Sequence, residues 1–179
     1  MIARTKKKLT YQDYIGFPDD GNRHEIIDGD HFMNPAPSVY HQAVSRRIQF
    51  QLYTQIELKQ LGIVADAPID VQLTPHDIVQ PDLVIVLAGR SIITPTKIKG
   101  VPDHLIEILS PSSDYNDRVL KFNLYEREKV PEYWIVDPFE HEVQQCLLGP
   151  SGYQRSTHES RVRCSYLGGE IEVDLSAVW

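Results

Sequence analysis

VQPDLVIV, residues 79–86, and HLIEILSPS, residues 104–112, decide the reading of this chain. Both are runs of Val, Ile and Leu without polar alternation. That pattern marks strands covered on both faces. EYWIVD, residues 132–137, is a third run of the same kind. The first two carry a charge that does not belong there. Asp82 opens one run and Glu107 stands inside the other, between Leu105-Ile106 and Ile108-Leu109. A carboxylate among aliphatic side chains loses hydration worth several kcal/mol. Chains avoid that unless an ion pair, a metal or catalysis requires it.

Outward from these strands, the pattern predicts an α/β (α+β) fold with a mixed central sheet flanked by helices. Thr10 with Asp13 is a weak capping box for a short helix over 10–16. HEIIDGDHFMN (24–34) reads as an N-terminal hairpin around the favoured Asp28-Gly29 turn. Val44, Ile48, Leu52 and Ile56 recur at spacing four, so a long helix is expected from Ser38 to a Gly62 cap. IDVQL (69–73) alternates as a strand, and the Gly- and Pro-rich segment 88–102 reads as loop. A helix is expected over 116–128, and 141–174 reads as a C-terminal antiparallel meander.

The 179 residues fit one domain, 1–179, with 1–9 as a mobile tail. The net charge of −7 argues against a surface covered in cations for nucleic acid, yet allows a local basic patch. No apolar run spans a membrane, and the basic start lacks a signal peptide's apolar core. Cys146 and Cys164 show no zinc spacing, nor do the seven histidines, and two thiols suit a reducing cytoplasm.

The carboxylates admit two readings. Each could be the partner of a buried cation. Alternatively, both could hold a divalent ion, since close carboxylates repel without a cation between them. All-oxygen ligands suit Mg²⁺ or Mn²⁺. Asp117, Lys121 and Tyr125 share one helix face at spacing four. That face is either a solvated Asp–Lys pair or the side that brings Lys121 to the carboxylates. Lys97, Lys99, Arg46 and Arg47 are further cations that could meet phosphate. Tyr133 and Trp134 read as core packing before base stacking.

A Pro-Asp at a strand start followed by an acid within the next strand resembles the PD-(D/E)XK nuclease superfamily, the restriction-endonuclease-like fold. HEIIDGDHFMNPAPSVYH, QPDLVIV, HLIEILSPSS with Asp117 and Lys121, and VPEYWIVDP are similar to the bacterial Uma-type restriction endonuclease family, over roughly residues 10–140. The resemblance implies that Asp82, Glu107 and the Ile108 carbonyl bind the metal. It places Glu25 at the family's N-terminal acidic position and His41 at its helix-start histidine. It also implies a DNA substrate and a homodimer. One position departs from the superfamily motif: Leu109 stands where the lysine belongs, and the resemblance offers Lys121 from the next helix instead. Two functions follow as expectations. One is a metal-dependent endonuclease. The other is a nuclease fold retained as a non-catalytic binding or assembly module, favoured by the acidic charge and the missing motif lysine.

Overall fold

The structure is a computed structural model that describes residues 7–111 and 113–179. Thr10 starts a single helical turn, α1 (Tyr11–Tyr14), and the Asp13 carboxylate accepts from both the Thr10 N–H and hydroxyl. The expected mobile tail lies outside the described residues as far as residue 6. Lys7–Leu9 is tethered instead: the Leu9 N–H donates to Gly29 O at 2.9 Å, and Lys7 and Lys8 pair with Asp13 and Asp28.

Strands β1 (Arg23–Ile27) and β2 (Asp30–Asn34) form the expected hairpin. Ile27 pairs with Asp30, which leaves Asp28 and Gly29 as a two-residue turn with φ of 52° and 81°. Positive φ at both positions is the reason for Asp-Gly there. The long helix α2 (Val39–Gln55) is capped by the Ser38 hydroxyl and ends well short of Gly62. Its Val44, Ile48 and Leu52, with Ile56 just beyond, are fully buried. Each such side chain contributes roughly 1.5–3 kcal/mol, far more than helix propensity.

Gly62 opens a strand, β3 (Gly62–Asp66). β4 (Val71–Thr74) follows, and then β5 (Asp77–Val79), a short strand absent from the expected elements. β6 (Leu83–Leu87) and β8 (His104–Ile108) are the two acid-bearing runs. Between them, the expected loop contains a short strand, β7 (Ile98–Lys99). A π-helical turn (Asn116–Lys121) runs directly into α3 (Phe122–Arg127), then β9 (Glu132–Asp137), β10 (Glu142–Gly149) and β11 (Gly152–His158). The meander splits: β10 and β11 extend the main sheet, while β12 (Arg161–Arg163) and β13 (Glu172–Asp174) form a separate ribbon.

The main sheet has the order β11-β10-β9-β8-β6-β3, with β8 and β9 parallel and the other pairs antiparallel. It is a mixed sheet, as expected. Leu83, Ile85, Ile106, Ile108, Trp134 and Val136 pack toward α2. Val84, Val86, Leu105, Tyr133 and Ile135 pack toward α3 and the smaller sheet, β2-β1-β5-β4-β7. Both faces of the central strands are covered, which explains why their sequences do not alternate. No helix among the described residues is long and apolar enough to cross a membrane.

Candidate functional site

Alternation along β8 turns Glu107 to the α3 side of the sheet, while Pro81, which has no N–H, sets Asp82 just outside β6. Both acids line one cavity of about 190 Å³. Asp82 is 5 % exposed and Glu107 2 %. His41, Asp117, Lys121 and Arg23 also line it, as does the backbone around Ile108.

Asp82 is fully partnered. Its Oδ1 accepts from Arg23 at 2.8 Å, and its Oδ2 accepts from the Ile108 N–H at 2.9 Å. His41 Nε2 lies 3.1 Å from the same Oδ2 and 2.9 Å from the Ile108 carbonyl. Burial alone would raise the Asp82 pKa, but His41 and Arg23 outweigh it and hold the carboxyl down at about 2.

Glu107 is governed by Lys121 and Tyr125. Its Oε1 accepts from Lys121 Nζ at 2.9 Å and from the Tyr125 hydroxyl at 2.8 Å. Its Oε2 meets no protein donor among the described residues. Lys121 Nζ also lies 2.9 Å from Glu25 and 3.5 Å from Asp117. Burial pushes Glu107 well up, Asp117, Asp82 and Glu25 push the same way, and Lys121 opposes them. Burial likewise raises Asp117, to about 6. Burial would lower Lys121, yet the three carboxylates around it raise it well above its ordinary value, so it stays charged.

Glu25 lies wholly buried behind Lys121. It accepts from Lys121, from the Asn34 side chain at 2.7 Å and from the Gln80 N–H at 2.7 Å. Tyr125 is also behind the cavity wall. Lys97, Lys99, Arg46 and Arg47 do not line this cavity; Arg47 instead donates to the carbonyls of Val178 and Trp179. Tyr133 and Trp134 are fully buried, in keeping with core packing. The sequence reading did not select Arg23 or Asn34. They are paired partners in the hairpin register, and Arg23 shares a strand face with Glu25 two residues on. That register was the available signal.

The donor set fits a divalent cation. Asp82 Oδ2 and the Ile108 carbonyl already converge on a single point, held by His41 Nε2. Glu107 Oε2 remains without a donor. Four buried carboxylates, Glu25, Asp82, Glu107 and Asp117, face two permanent cations, Arg23 and Lys121.

A second polar centre lies at the other end of β8. His104, Glu132 and Cys164 bring donor atoms within 4.8 Å of one another, so a cysteine and a histidine do join a group with metal-ligand proximity despite their spacing in sequence. Parallel β8 and β9 place His104 beside Glu132. Glu132, however, already accepts four hydrogen bonds, from Trp134, Gln145 and the Ser165 N–H and hydroxyl, at 2.6–2.8 Å. His104 Nδ1 meets the Tyr166 hydroxyl, and Nε2 is buried without a partner.

The fold is similar to that of a solved structure described as "a putative nuclease belonging to DUF820 from Anabaena variabilis ATCC 29413". The TM-score is 0.79 at 16 % identity, covering 95 % of this chain and 97 % of that one. Among curated proteins, none matches. The family model Uma2, described as "Putative restriction endonuclease", matches residues 11–175, and the chain therefore belongs to the Uma2 family.

Proposed function

We propose that the protein is a divalent-metal-dependent endonuclease that hydrolyses phosphodiester bonds in DNA, with Mg²⁺ or Mn²⁺ as its cofactor. The observation that carries this reading is the convergence of Asp82 Oδ2 and the Ile108 carbonyl on one point, in a cavity that Glu107 also lines. The family description and the excess of buried carboxyl groups over permanent cations at the site support it. Asp82, Glu107 and the Ile108 carbonyl would hold the ion, with His41 Nε2 giving up its place between two of them. Bound there, a divalent ion lowers the pKa of a water and offsets charge on the phosphate.

The protein's own groups do the rest. His41 and Arg23 together keep Asp82 ionised. Tyr125 fixes the orientation of Glu107. Glu25 and Asp117 position Lys121, whose ammonium is a fixed positive charge beside the reacting phosphate. In this reading Glu25, Asp117 and Tyr125 are positioning residues, and Lys121 replaces the lysine absent at Leu109. A homodimer, supported by exposed Phe50 and Leu58 along and just past α2, belongs to the same proposal.

The second reading is the binding module without catalysis. It draws on the full engagement of Lys121 by three carboxylates, which leaves that cation nothing for a phosphate. One experiment separates the two. Plasmid and oligonucleotide DNA are incubated with Mg²⁺ or Mn²⁺, and Mn²⁺ binding is followed by calorimetry. The nuclease reading expects cleavage reduced on the order of 100-fold in Glu107→Gln and Lys121→Met, and Mn²⁺ heats that vanish in Asp82→Ala. Metal binding without cleavage of any substrate selects the module. Cleavage that survives Glu107→Gln, or equal heats in Asp82→Ala, removes this site from the chemistry.

A further inference from the structure

We infer that the cavity admits an unpaired strand rather than intact duplex, an inference that rests on the nuclease reading and specifies its substrate. The first argument is depth. Asp82 and Glu107 lie almost wholly buried at the base of a cavity of about 190 Å³, small beside the roughly 300–1,000 Å³ of ordinary ligand sites. A scissile phosphate must descend between walls to reach them. In a duplex, the second strand and the stacked neighbours hold the phosphate on the outside of a wide rod.

The second argument is the construction of the mouth. One wall is the proline-rich connection between β2 and α2 together with Tyr40 in the first turn of α2; another is the turn after β9, at Pro138 and Phe139. The Tyr40 hydroxyl donates to the Pro138 carbonyl at 3.2 Å, so the two walls are tied together. Asp137 Oδ1 accepts from the Phe139 and Glu140 N–H groups, while Arg118 grips the other oxygen at 2.7 Å. On this braced turn the Phe139 ring is 62 % exposed at the lip of the cavity. An exposed aromatic side chain lining such a cavity offers a stacking platform for an unstacked base.

The third argument is charge. Duplex binding draws on many cations together, roughly 6–10 phosphate contacts in a strongly salt-dependent complex. Among the described residues, the permanent cations lining this cavity are Arg23 and Lys121, and both are already paired with carboxylates. Affinity must therefore come from stacking and from the metal rather than from a basic track.

The test is fluorescence anisotropy with a labelled single-stranded 12-mer and a hairpin duplex of the same sequence, in Ca²⁺ to occupy the carboxylates. Wild type is expected to bind the single strand at least about 10-fold more tightly than the hairpin. Phe139→Ala should weaken single-strand binding about 5- to 100-fold, the range set by one stacked base, and Phe139→Trp should restore it. The ring is exposed, so neither change threatens the fold. Duplex bound as tightly as single strand, or a neutral Phe139→Ala, overturns this inference and leaves the nuclease reading standing. Failure to bind either probe, with no cleavage in Mn²⁺, overturns both.

Discussion

Lys121 carries the electrostatics of the candidate site. The residue in the usual motif position, Leu109, is packed into the apolar core with Phe122 and Val130. The cation comes instead from the π-helical turn and reaches Glu107 and Glu25 at 2.9 Å each. Removing one partner of a buried ion cluster exposes the rest to uncompensated burial, at about 3–5 kcal/mol. Lys121→Met is thus expected to lose about that much stability in urea unfolding at pH 7. The loss should shrink at pH 5. Asp117 titrates at about 6 and Glu107 is raised by burial, so both take up protons more readily once Lys121 no longer opposes them. A loss below ~1 kcal/mol, or one that ignores pH, would show that the cluster does not depend on Lys121.

At the scale of elements, Gly62 separates what the sequence discloses from what it hides. Its position after an apolar, helix-spaced run reads as a helix cap, yet it starts β3. There a Cβ would sit 2.5 Å from the Val86 carbonyl and 3.0 Å from Leu87 Cα. The glycine is required by the approach of β6, a tertiary fact. Gly62→Ala should force two backbones apart, at ~2 kcal/mol or more, and lower Tm by about 5 °C. Gly16→Ala, where the added Cβ meets only Asp13 O at 3.4 Å, should leave Tm unchanged. Equal melting of the two variants would remove close strand approach as the reason for Gly62. The three apolar strands were legible because both faces of the sheet are covered. The hairpin was legible because Asp-Gly sets its turn. β5 and β7, of three and two residues, are too short for any period to show. Asp82, Glu107, Lys121 and His41 could be found as charge or motif in unusual places. Arg23 needed the hairpin register, and His104 with Glu132 needed the parallel pairing of β8 and β9, which no local pattern encodes.

Across the whole molecule, two buried polar centres flank the central sheet and respond to acid with opposite sign. His104 is held neutral by burial, with its pKa lowered to about 4 from 6.5. The unfolded chain binds that proton more tightly, so stability is full above pH 6.5 and is lost as pH falls toward 4, by ~3 kcal/mol. Asp117 behaves in reverse. Its pKa is raised from 3.8 to about 6, so the folded state holds the proton more tightly, and the cost of ionising it, also ~3 kcal/mol, is present above pH 6 and relieved as pH falls toward 4. The two contributions mask each other in the wild type over pH 6.5–4. Variants separate them. Relative to wild type, His104→Gln should gain ~3 kcal/mol between pH 7 and pH 4, and Asp117→Asn should lose a similar amount over the same interval. Urea midpoints at pH 7, 5.5 and 4 measure both, and the comparison with wild type cancels the titrating groups remote from each substituted residue. Below pH 4 a third change enters. Asp82, held at about 2, keeps its stabilising ionisation until the pH falls from 3.8 toward that value. If the two variants track the wild type in parallel from pH 7 to pH 4, then neither buried group titrates with folding, and acid stability is set by Asp82 and the surface carboxylates.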